Sequence, residues 1–67
     1  MIKCHLSRLM GERKLKLIDV SRDTGVHRNT VRALYQETAL RIDLSVMETL
    51  CRYFECEVGD MLEFVDD

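Results

Sequence analysis

Apolar residues recur along the chain at helical rather than strand spacing. Ile2, Leu6, Leu9 and Met10 fall on one stripe and predict a first helix over residues 3–13, with Gly11 weakening its end. Leu15, Val20 and Val26, with the small Ser21 between them, predict a short second helix near 17–24, stopped by Gly25. Val31, Leu34 and Tyr35 mark a third over about 28–36, for which His27 is a serviceable cap. Residues 37–43 read as an exposed connection. Asp43 then opens a fourth helix, because its carboxylate accepts orphan N–H groups of a first turn. The stripe of that helix is Leu44, Met47, Leu50, Cys51 and Phe54. Val58, Met61 and Leu62 predict a last short helix. Five short helices, brief connections and no proline make residues 1–67 one compact all-α domain.

Charge changes this picture once it is resolved along the chain. The net charge of −2 argues against a nucleic-acid partner only while it is read as an average. Residues 1–36 carry eight Lys/Arg against Glu12, Asp19 and Asp23, a net +5. Residues 37–67 carry only Arg41 and Arg52 against nine carboxylates, a net −7. Such polarity attracts phosphate to one face and repels it from the other, which orients a small protein on a duplex.

The apolar runs are far too short for a membrane span. Lys3, Arg8, Arg13 and Lys14 also break any signal-peptide layout, so the expected location is the cytoplasm. Three cysteines form neither a disulfide framework nor a C-x-x-C pair. Cys4, His5, Cys51 and Cys56 could be written as a zinc set, but their spacing is not that of a finger or ribbon. The cysteines are therefore expected to be small packing residues, with no metal and no cofactor. No Gly-rich phosphate loop or nucleophile–base–orienter set points to an enzyme.

The segment from Leu17 to Gln36, LIDVSRDTGVHRNTVRALYQ, is the most informative. Two helices that cross steeply over a short turn need a small residue where they touch, supplied by Ser21. They need a left-handed turn residue, supplied by Gly25. Val20, Val26, Val31 and Leu34 then lock the second helix down. With these offsets, GVHRNTVRALYQ resembles the turn and recognition helix of the Cro and phage-repressor (XRE-type) family of helix-turn-helix transcriptional regulators. RIDLSVMETLCRYFECEVGDMLEF resembles that family's closing helices, so the likeness runs over about residues 4–64.

The resemblance implies a lambda-repressor-like fold, and a double-stranded DNA operator as partner. It also implies that the helix from Arg28 to Gln36 reads the major groove, with Arg28, Asn29 and Arg32 facing base edges. Their chemistry suits that role, since an arginine fork matches guanine O6 and N7 and an asparagine amide matches adenine N6 and N7. Lys16, His27, Thr30 and Arg41 are expected to contact phosphate rather than bases. Leu17 and Ile18 stand where the family usually has polar residues, and His27 where Ser or Thr is usual. Tyr35 is expected to pack half-buried.

The family generally works as a homodimer on an inverted repeat, and most often as a repressor. Phe64 and Val65 are the interface candidates, with Val58, Met61 and Leu62 assigned to the core. No small-molecule effector is evident. The competing function is a protein-interaction module or antitoxin-like subunit on the same fold, which fold alone does not exclude.

Overall fold

The computed structural model describes residues 1–66. Five helices and a two-stranded antiparallel sheet follow one another as β1 (Ile2–Cys4), α1 (Leu6–Glu12), α2 (Leu17–Thr24), α3 (Arg28–Tyr35), α4 (Leu44–Phe54), α5 (Val58–Met61) and β2 (Leu62–Phe64). The core takes Leu6 and Met10 from α1, Val20 from α2, Val31 and Leu34 from α3, Met47, Leu50 and Phe54 from α4, and Met61 from α5. Cys4 and Val26 complete it, and no polar side chain is buried among the described residues.

The sheet corrects the all-α expectation. Ile2↔Phe64, Lys3↔Glu63 and Cys4↔Leu62 are paired across it. The N–H groups of Met1 and Val65 each reach the other's carbonyl at 2.8 Å, and His5 N–H reaches Met61 O at 2.7 Å. The stripe that suggested a helix from residue 3 began at Ile2, but Ile2 and Cys4 alternate at period two, and that alternation governs here. One face of the ribbon carries Ile2, Cys4, Leu62 and Phe64, whose inner pair packs on the core. A lone hairpin-like ribbon is marginal in water, so this packing is what sustains it. The His5 Nε2–Glu63 Oε1 contact at 2.7 Å adds a clasp at the helix end of β1. Glu37 Oε1, after α3, accepts the Cys4 N–H at 3.0 Å on the outer edge of that strand.

The junction of α2 and α3 follows the geometry read from sequence. Gly25 is left-handed at φ 77°, and its N–H closes α2 on Ser21 O at 2.9 Å. The Ser21 hydroxyl donates across the turn to Val26 O at 2.7 Å. Thr24 adds a second brace, donating to Val20 O at 2.6 Å and accepting from Val26 N–H at 3.2 Å. His27 caps α3 through Nδ1, which accepts the Asn29 N–H at 3.1 Å.

Three side chains depart from their expected places. Asp43 stands at the N-cap of α4 but makes no side-chain cap bond. Leu44 is 84% exposed at the first position of α4, before the helix enters the core through Val46 and Met47. Val58 is 52% exposed and not core, since a four-residue helix turns only Met61 fully inward. Leu62 is half-buried as β2 begins. Both α2 and α5 instead start on a carboxylate three residues into the helix side. Asp19 accepts Lys16 N–H and Asp60 accepts Glu57 N–H, each at 2.9 Å.

One tie was not visible in the sequence. The Arg13 guanidinium, just past α1, donates to Tyr53 O at 3.2 Å and Phe54 O at 2.7 Å, and lies 5.5 Å from the Phe54 ring centroid. It thus satisfies orphan carbonyls at the end of α4, where a cation also meets the negative end of the helix dipole.

Two predictions follow from this packing. Gly25→Val forces a β-branched residue to positive φ, at a cost of about 1–3 kcal/mol. Its melting temperature by circular dichroism should fall by at least roughly 4 °C, and an unchanged value would contradict the left-handed turn. Arg13→Ala should lose about 1–2 kcal/mol in urea unfolding while Arg13→Lys recovers only part of it. Equal stability of all three proteins would mean that water serves the α4 carbonyls as well.

Candidate nucleic-acid interface

Helix α3 divides its residues cleanly. Val31 and Leu34 are buried, while Arg28, Asn29 and Arg32 are exposed on the opposite side. Arg28 and Arg32 lie one turn apart, so their side chains share a face. Neither they nor Asn29 has a side-chain hydrogen bond or ion pair among the described residues.

Most other arginines are engaged. Arg22 pairs with Asp23 at 3.0 Å and Asp19 at 3.3 Å, and Arg52 with Glu48 at 2.9 Å. Arg8 donates to Asp60 O at 3.2 Å, and Arg13 closes α4 as described. The cations with no partner among the described residues are Lys3, Lys14, Lys16, Arg28, Arg32 and Arg41. Lys14 escaped the sequence reading. It occupies the tip of the α1–α2 turn at φ 54°, a conformation that nothing in its residue type announces.

The acidic pair of α2 does not compete with this surface for counter-charges, being matched internally. The Tyr53 hydroxyl donates to Asp23 Oδ2 at 2.7 Å. That bond first, and Arg22 second, hold the Asp23 carboxyl below its ordinary range. The same contact ties α2 to α4, so the acids of α2 are structural partners in the fold.

Around α3 some of the expected residues border two grooves, while Arg28 and Arg32 line neither. Asn29 and Thr30 share an open groove with Ala33 and with Ala39, Leu40 and Arg41 of the following loop. On the neighbouring side, His27 and Thr30 border a second groove with Ser45, Val46 and Thr49 of α4. Thr30 is half-buried between the two. His27 is exposed, and with Nδ1 committed to its cap its Nε2 is left for an outside partner. Lys16 is exposed at the N-cap of α2 and lines neither groove. Tyr35 is exposed at 43%, more open than the half-buried packing expected of it. Leu17 packs against the core, whereas Ile18 is 52% exposed.

The C-terminal candidates lie on a different element. Phe64 is 69% exposed on β2, across from Ile2 at 63%. Val65 is half-buried, with its backbone bonded to Met1. Among the described residues, no three His, Cys, Asp or Glu side chains are grouped so as to hold a metal ion. Burial pushes the Cys4 and Cys56 thiols above their ordinary range, which suits packing rather than reactive residues. No helix among the described residues is long and apolar enough to cross a membrane.

The uncharacterized HTH-type transcriptional regulator YozG of Bacillus subtilis (strain 168) is 30% identical to the chain over 59 residues, which span 88% of this chain and 70% of YozG. No solved structure matches it. The profile of the Cro/C1-type HTH DNA-binding domain matches residues 5–67, and so takes in all five helices, the left-handed turn and β2 together. On that match the chain belongs to the Cro/C1-type family of helix-turn-helix DNA-binding domains.

Proposed function

We propose that this domain is a transcriptional repressor that binds an operator as a homodimer and reads the major groove with α3. The observation that carries the reading is the exposed set Arg28, Asn29 and Arg32, without a side-chain partner among the described residues, where Arg8, Arg13, Arg22 and Arg52 are all held by protein groups. An unpaired arginine pair one turn apart, beside an asparagine, supplies forks for guanine and an amide for adenine. Lys16, His27, Thr30 and Arg41, joined by Lys14, then fix the duplex through phosphate. Repression follows by occlusion of a promoter, in the cytoplasm where the operator lies.

One recognition helix reads roughly four or five base pairs, which two-fold symmetry doubles into an inverted repeat with half-sites ~34 Å apart. The exposed apolar pair Ile2 and Phe64 supports a joining surface at the ribbon, with Val65 at its margin. Phe64 and Val65 belong to the acidic half of the chain, while Ile2 and its neighbour Lys3 belong to the basic half.

Selection from random DNA, followed by gel-shift titration at two salt concentrations, tests the reading. Arg28→Ala or Arg32→Ala should cost about 1–3 kcal/mol on the selected site and relax discrimination at one base pair. Lys16→Ala or Arg41→Ala should weaken all sequences alike and flatten the salt slope by about one. Recovery of no preferred sequence at either salt would favour a protein-interaction module. For the dimer, sedimentation of the parent should show self-association that Phe64→Glu abolishes. A parent that stays monomeric and binds a lone half-site at full affinity would overturn the two-fold arrangement.

A further inference from the structure

Leu40 is 100% exposed, the extreme among the large apolar side chains described. The loop that carries it is not a loose tip. Glu37 turns left-handed at φ 59° and receives the Cys4 N–H at 3.0 Å. Thr38 N–H bonds back to Ala33 O at 2.9 Å, and Ile42 packs against the core on the far side. Anchors on both flanks therefore hold Leu40 outward.

Leu40 borders two grooves, one lined by Ile2, Leu34, Ile42 and Leu62 and the other running along α3. Ala39, Leu40 and Arg41 form one wall of the groove whose other wall is Asn29, Thr30 and Ala33 of α3. An apolar side chain thus shares a concavity with the amide assigned to adenine. Across the major-groove edge, an A·T pair presents adenine N7, adenine N6, thymine O4 and finally the thymine methyl. An asparagine satisfies the first two. The remaining apolar group of that edge is the methyl, and the phosphate of the thymine strand lies beyond it. Leu40 followed by Arg41 offers the same order, an apolar group and then a cation.

We propose that Leu40 is a specificity residue that contacts the 5-methyl group of a thymine at the edge of each half-site, extending base reading from α3 into the following loop. The inference rests on the placement of α3 in the major groove. It adds a contact on the thymine strand of the A·T pair whose adenine Asn29 reads, which Arg28, Asn29 and Arg32 do not themselves make.

The test replaces each thymine of the selected duplex by deoxyuridine in turn, which removes only the methyl group. Affinity is measured for the parent and for Leu40→Ala, with Arg28→Ala run in parallel on the same duplexes. At one position per half-site the replacement should weaken the parent about four-fold, the worth of one small apolar group removed from water. It should leave Leu40→Ala unaffected, while both proteins keep their Arg28-dependent preference. Parent affinity that ignores every methyl, or the same loss in Leu40→Ala, would overturn the proposal. So would a Leu40→Ala protein whose oligomeric state changes while its base preference does not, since Leu40 would then face a protein. Failure of the α3 placement shows separately, as loss of the Arg28 dependence in the parallel series.

Discussion

An eight-residue helix does not stand by itself in water, and α3 depends on the turn that delivers it. Gly25 at φ 77° reverses the chain in the space of three residues, at a conformation only glycine adopts without strain. The Ser21 hydroxyl on Val26 O then fixes the exit direction, and Val26, Val31 and Leu34 bury the inner side of α3. Once that side is committed to the core, Arg28, Asn29 and Arg32 have no choice but to face solvent. The chemistry of the outer face is thereby set by the packing of the inner one.

The rest of the fold supports this junction from behind. A chain this short has little apolar surface to bury, so each closing contact counts. Three kinds recur here. The ribbon zips the two ends of the chain together through Met1 and Val65. Arg13 ties the end of α1 to the end of α4. Tyr53 and Asp23 join α4 to α2. All three draw on polar or charged groups at helix ends and strand edges, where backbone groups otherwise rely on water.

What the sequence revealed followed the strength of each periodic signal. The turn was legible because Ser21, Gly25 and the valines around them serve one geometric requirement at fixed offsets. The inner stripe of α4 was legible from Met47 onward, but Leu44 stands at the exposed first position of the helix, and stripe counting does not see where a core ends. Val58 misled for the same reason. The ribbon was hidden because three-residue strands offer too few alternations, and because their pairing joins residues more than 55 positions apart. Arg13 and Lys14 adjoin in sequence with the same charge. Only tertiary placement separates them, sending one onto the carbonyls of α4 and leaving the other in solvent. Of the base-reading and phosphate candidates, the groove beside α3 gathers Asn29, Thr30 and Arg41, while Arg28, Arg32, His27 and Lys16 lie outside it.

The +5 half contains the turn and α3, and its cations are partly consumed in structure, so those that remain open mark the outward-facing set. The most direct measurement is a nitrogen-15 chemical-shift titration of the protein with its selected duplex. The account predicts large shifts over Lys16, residues 27–33 and residues 39–41, with the acidic surface of α4 and α5 unmoved. Shifts centred on that acidic surface, with α3 silent, would contradict it.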